Sequence, residues 1–196
     1  MNQSQKTFEN FDQFFEQLTH CDQLELVLEL EAQDCNGLPQ LVVTHNDTVL
    51  FDQALAPGAC TVQLTIPQHE KNCITVSMSG KTLGQDTEVV DGHIVRDKFV
   101  VVNKFVVDGF DLYEDREFFY NVFWYRNNDT MELQNVTNGF WNNATLGLDY
   151  TGSFFAWYQH NTRKNTELVN DMVYKDLKSM DRDMQTVLKS LEKLTR

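Results

Sequence analysis

Carboxylates crowd one short stretch of this chain. Asp86, Glu88, Asp91 and Asp97 gather around a single Asp91-Gly92 turn, and Asp108 and Asp111 follow at the far end of the next apolar run. Calcium takes several oxygen ligands at once, often from an Asp-bearing loop with backbone carbonyls added. Asp86, Asp91 and Asp97 are therefore the candidate metal set, although their spacing matches no EF-hand loop and turn-forming or solvated Asp is the commoner use of such residues. A second candidate chemistry is aromatic. Phe118, Phe119, Tyr120, Phe123, Trp124 and Tyr125 would suit either a cover for a hydrophobic core or a platform for sugar rings. The histidines His20, His45, His69, His93 and His160 stand in no recognisable catalytic signature, and GxGxxG, P-loop and HExxH patterns are absent. The sequence offers no catalytic set, and no enzymatic activity is expected.

Composition narrows the partners. The chain has 196 residues, 29 acidic against 16 basic, for a net charge of −13. Nucleic acid and anionic membranes are bound through clustered Lys and Arg, so neither is expected. The N-terminus has no basic segment followed by an apolar one, so folding in cytoplasm is expected. Cys21, Cys35, Cys60 and Cys73 show no CxxC spacing, which argues against zinc. Cys60 and Cys73 begin two candidate strands and could lie close together, but free buried thiols are the expectation in a cytoplasmic chain.

The elements that must position these residues are mostly strands. In Leu24–Glu31 the residues Leu24, Leu26, Leu28 and Leu30 alternate with Glu25, Glu29 and Glu31, as a half-buried strand requires. Leu41–Thr44 and Thr48–Phe51 flank His45-Asn46-Asp47 as a hairpin. Val62, Leu64 and Ile66, then Ile74, Val76 and Met78, repeat the alternation. Phe99–Val107 carries apolar residues on both parities, which predicts a central strand covered on both faces. Further strands are expected at Thr145–Tyr150 and Ser153–His160. Short strands separated by turns indicate an antiparallel β-sandwich, jelly-roll-like, over residues 23–163, with an aromatic-rich insertion around 114–138.

The two ends change period. Phe8, Phe11, Phe15 and Leu18 predict a short amphipathic N-terminal helix over residues 7–19, within an N-terminal segment 1–22. Residues 164–196 read as a long helix with a heptad pattern. Val173, Leu177, Met180, Met184, Val187, Leu191 and Leu194 form its apolar seam, with Asn170 at an a position. So narrow a stripe suits another helix, and these residues are the expected partner or oligomer interface; folding back onto the sandwich is the alternative.

One succession of residues points to a family. Asn72-x-Ile74-x-Val76-x-Met78, Gly80-Lys81-Thr82, Asp86-Thr87, Asp91-Gly92-x-Ile94-Val95-x-Asp97 and Val106-Val107-Asp108-Gly109-x-Asp111-Leu112 resemble β-sandwich structural proteins in the virions of tailed marine phages. Asn143–Tyr150, followed by aromatics through Trp157, resembles the last strands of that form. More loosely, the Asp-bearing loop is similar to calcium-dependent xylan-binding carbohydrate modules. The first resemblance implies a non-enzymatic virion component of tail, neck or capsid, made in the host cytoplasm, that docks on other virion proteins or on itself through its helical end. The second implies a calcium-dependent carbohydrate-binding module with glycan as ligand and Asp86, Asp91 and Asp97 on the metal.

Overall fold

Alternation and tight turns build most of this molecule. The computed structural model describes residues 22–162. The helix expected over 7–19, and the heptad seam of Val173, Leu177, Met180, Met184, Val187, Leu191 and Leu194, lie outside the described residues. The chain divides into two units, Met1–Trp157 and Tyr158–Arg196, and the sheets belong to the first.

The strands run in order β1 (Gln23–Gln33), β2 (Gln40–His45), β3 (Thr48–Ala54), β4 (Gly58–Pro67), β5 (Lys71–Ser79), β6 (Thr87–Val90), β7 (His93–Asp97), β8 (Phe99–Val107) and β9 (Phe110–Asp111). Helix α1 (Arg116–Val122) follows, then β10 (Phe123–Asn127), β11 (Leu133–Gln134), β12 (Gly139–Phe140) and β13 (Ala144–Thr151). The smaller sheet has the order β12-β8-β1-β4, with β9 also on β8; the larger has the order β11-β10-β13-β5-β2-β3. Both are antiparallel, and they pack face to face. The pair β6 and β7 forms a two-stranded ladder of its own.

The core lies between the sheets. β1 buries Leu24, Leu26, Leu28 and Leu30 and turns Glu25 and Glu31 out to solvent. β5 buries Ile74, Val76 and Met78, and β13 buries Ala144, Leu146, Leu148 and Tyr150 on the same inner face. Three two-residue turns depend on residue type. Asn46-Asp47, Asp91-Gly92 and Asp108-Gly109 all have positive φ at both positions, as type I′ hairpins need, and Asn, Asp and Gly tolerate that conformation best.

The central strand corrects the expectation of burial on both faces. In β8, Glu29 pairs with Lys104 but Leu30 pairs with Val102, so Asn103 is an extra residue. This β-bulge switches the parity of the strand. Val100 and Val102 are buried before it, Phe105 and Val107 after it, while Val101 and Val106 are only half-buried. Apolar residues on both parities reflect a change of phase, with one face buried throughout.

The aromatic-rich segment 114–138 supplies core. The Asp115 side chain accepts a hydrogen bond from the Phe118 backbone N–H at 3.0 Å and caps α1. The helix then buries Phe118 and Phe119 and runs directly into β10, a full strand of the larger sheet. Phe123 meets Phe105 edge-on at 4.8 Å and Phe119 at 4.4 Å between ring centres. These rings fill the inner layer, on the opposite side of β8 from a cover over its outer face.

Ser153–His160 is the other correction, because residues 154–162 are helical. Gly152, at φ 70°, ends β13, and Ser153 then acts as a cap, its hydroxyl accepting from the Ala156 N–H at 3.4 Å. Phe154 and Trp157, three residues apart, meet on one helix face at 5.7 Å. Cys60 and Cys73 stand in different sheets, on β4 and β5, and Cys35, Cys60 and Cys73 are free thiols.

Candidate functional site

The carboxylates singled out by the sequence meet two buried ammonium groups. Lys98 immediately precedes β8, and its Nζ donates to Asp86 Oδ2 at 2.7 Å and to the Gly80 carbonyl at 2.8 Å. Lys81 follows β5, and its Nζ donates to Asp97 Oδ1 at 2.6 Å and to the Trp141 carbonyl at 2.7 Å. Both lysine side chains are 3% exposed. A buried charge is tolerated only when it is paired and hydrogen-bonded, and the remaining lone pairs are used accordingly. Asp86 Oδ2 also accepts from the Thr82 N–H at 2.7 Å; Asp97 Oδ1 accepts from Thr87 Oγ1 at 2.6 Å and from the Lys98 N–H at 3.0 Å. Burial opposes ionisation of Asp86, but the Lys98 and Thr82 hydrogen bonds and the nearby charges of Lys98 and Lys81 outweigh it and hold the carboxyl below its ordinary value.

This double ion pair is a clasp. It joins the end of β5, the loop 80–86, the hairpin strands β6 and β7, and the start of β8. Asn143 adds a second grip, its amide accepting from the Lys81 N–H at 2.9 Å and donating to the Lys81 carbonyl at 2.8 Å. Arg96 of β7 donates to the Asp34 carbonyl at 3.0 Å and to its carboxylate at 2.8 Å. The hairpin is thus fixed at its base to both sheets.

Of the metal candidates, Asp86 and Asp97 are brought together and Asp91 is not. Asp91 sits in the β6–β7 turn at φ 51°, exposed. Asp108 and Asp111 flank the β8–β9 turn. Among the described residues no group of three or more His, Cys, Asp or Glu is placed to hold a metal ion. Sequence reasoning found the acids but missed Lys81 and Lys98. The only local signal was one lysine just after β5 and another just before β8, and nothing in the spacing says which acid each will meet.

Beyond the clasp the hairpin is apolar and open. Val89, Val90 and Val95 are exposed, Ile94 is 66% exposed, and Trp141, which lines a cavity with Ile94 and Val95, is 52% exposed. A cavity of about 260 Å³ is bounded by Ile94, Val95, Arg96 and Asp97 of the hairpin and by Gln33, Phe99 and Trp141. Phe99 and Trp141 lie against each other at 4.7 Å between ring centres. This surface is the candidate functional site.

A second cavity, about 380 Å³, is lined by Asn46, Lys71, Asn72, Cys73, Asp149, Tyr150, Thr151 and Trp157. Its chemistry is quiet. Burial, then a hydrogen bond to Asp149 and the charges of Asp149 and Asp47, push the Cys73 thiol up to about 12, so it stays protonated. His45 is buried with Nε2 3.1 Å from Asn72 Oδ1 and its ring stacked on His69. Burial foremost, with His69 assisting against the Asn72 hydrogen bond, lowers its pKa. Asn72 also bonds both the N–H and the carbonyl of His69, at 2.9 and 2.7 Å, which makes it a lock on the β4–β5 turn.

Comparison with protein-family models, with curated proteins and with solved structures finds no match.

Proposed function

We propose that the chain is a non-enzymatic structural or assembly protein of a tailed-phage virion, built on a jelly-roll-like sandwich and docking through its helical end. The observation that carries this reading is the β6–β7 hairpin. Its apolar side chains point to solvent, yet its base is fixed by the ion pairs of two buried lysines. A soluble monomer gains nothing from an ordered ladder of exposed Val and Ile, whereas an assembly protein needs preorganised apolar contacts. The hairpin and the heptad seam of residues 173–194 then act as two adhesive elements on one scaffold. The calcium-dependent carbohydrate-binding reading draws less support from the geometry, because Lys98 and Lys81 already occupy Asp86 and Asp97.

The test combines mass in solution with particle incorporation. Met184→Asp together with Leu191→Asp is expected to leave the thermal transition of the sandwich in place while abolishing self-association or incorporation. Ile94→Asp with Val95→Asp is expected to weaken incorporation without unfolding, since both sites are exposed. Loss of cooperative unfolding in the helix variant, from a monomeric parent, would show that the helix packs on its own domain.

A further inference from the structure

The cavity of about 380 Å³ stands at the start of β5, at the opposite end of that strand from the lysine clasp. Strand register puts its polar groups on one face. Cys73 pairs with Asp149, and Lys71 with Thr151, so these side chains project from the same side of the larger sheet. That side is the outer one, because the alternating Asn72, Ile74, Leu148 and Tyr150 are buried. Lys71, Asp149 and Thr151 are exposed there.

Two of the polar groups are held in fixed orientations. Asn46, in the β2–β3 turn, accepts at Oδ1 from the Cys73 N–H at 2.8 Å and donates from Nδ2 to the Lys71 carbonyl at 2.9 Å. Asp149 accepts at Oδ2 from the Trp124 indole N–H at 2.9 Å and takes a further hydrogen bond from the Cys73 thiol. An amide and a carboxylate have more sites than these contacts use, so both keep capacity for a ligand. Trp157 supplies an aromatic wall, its ring 5.8 Å from that of Tyr150 and tilted by 47°. A small concave site with an aromatic wall and a few fixed polar groups is the usual form of a small-molecule pocket, and its volume lies near the lower end of the range of about 300–1,000 Å³.

We propose that this cavity binds a neutral saccharide, a single sugar ring with its C–H face against Trp157 and its hydroxyls on Asn46, Lys71, Asp149 and Thr151. Charge selects a neutral ligand. The cavity carries one ammonium and one carboxylate, and the chain as a whole, at −13, repels anions. Every sugar hydroxyl both donates and accepts, so one ring serves an ammonium, a carboxylate, an amide and a hydroxyl together. The tilt between Tyr150 and Trp157 forms no parallel slot for a flat heterocycle, whereas a puckered ring needs only one aromatic face. The site uses no metal, and it is remote along β5 from Asp86 and Asp97, which sets it apart from a calcium-dependent module.

Saturation-transfer NMR on the full chain, in buffer containing EDTA, tests the site with the methyl glycosides of glucose, galactose, mannose and xylose. At least one is expected to bind, with amide shifts centred on residues 46, 71–73 and 149–151. Lys71→Gln with Asp149→Asn is expected to weaken that binding about tenfold or more, since two charge-assisted hydrogen bonds to the ligand are lost. Both positions are exposed, so the melting temperature should hold. If the double variant fails to fold, Lys71→Gln alone decides by the same criterion. The proposal is overturned if none of the four glycosides binds, if the folded variant binds as well as the original chain, or if binding appears only when calcium replaces EDTA. Preferential binding of adenosine overturns the sugar assignment in the same way. None of these readouts involves the helical end, so failure here leaves the assembly reading standing, and failure of that reading leaves this site standing.

Discussion

Lys98 and Asp86 show how tightly a buried charge is tied to its partner. Removing one member of such a pair leaves the other uncompensated, at a cost of about 3–5 kcal/mol, while replacing both by apolar groups is often close to neutral. Lys98→Met is therefore expected to lower stability by that order, and Lys98→Met with Asp86→Leu to recover much of it, read from denaturant midpoints. The pH dependence follows from the same contacts. Asp86 has its folded pKa below the unfolded value, so its contribution is fully present above the ordinary carboxylate range. It is lost as pH falls through the depressed folded value. Native stability attributable to this pair should accordingly be flat from neutral pH down to the ordinary Asp range and fall only below it. The pH difference between the original chain and the double variant measures it. At the other cavity, Cys73 is expected to resist alkylation at mildly alkaline pH until the protein is denatured, because a thiol pushed up to about 12 yields little thiolate there.

At the scale of elements, the bulge in β8 is the feature that most shapes the core. A one-residue slip sends every side chain of a strand to the opposite face. Asn103 introduces that slip deliberately, letting Val100 and Val102 share an inner face with Phe105 and Val107. Deleting Asn103 should expose one of these pairs and cost several kcal/mol, roughly the burial of two apolar side chains at about 1.5–3 kcal/mol each. Val102→Asp should abolish cooperative unfolding, whereas Val101→Asp, on the half-buried outer face, should leave a folded protein; thermal melts separate the two. The larger sheet has its own device. Gly147 lies opposite Trp124, and a Cβ there would overlap the indole, which donates to Asp149 Oδ2 at 2.9 Å.

For the molecule as a whole, the excess of acid sets the response to salt. With 29 acidic and 16 basic residues, self-repulsion weakens the compact state and screening relieves it. The melting temperature is expected to rise between low and physiological ionic strength. Fixed to this acidic scaffold is the β6–β7 hairpin, whose solvent-facing Val89, Val90, Ile94 and Val95 stand among the charged groups Glu88, Asp91 and Arg96.

Sequence alone determined what depends on local periodicity and turn chemistry. The leucines of β1, the alternation of β5 and the Asn-Asp and Asp-Gly hairpins were legible, because period two and positive φ are local constraints that individual residue types satisfy or fail. Tertiary structure decided whatever depends on pairing. The parity switch in β8 is visible only against the register of β1, since an inserted residue and a strand buried on both faces leave the same pattern of valines. Ser153–His160, expected as a strand, is helical from residue 154 because Gly152 ends β13 and Ser153 caps the turn that follows. That Asp86 and Asp97 meet Lys98 and Lys81 was likewise decided by the fold, because a carboxylate's partner is chosen by proximity in space, which its neighbours in sequence do not encode.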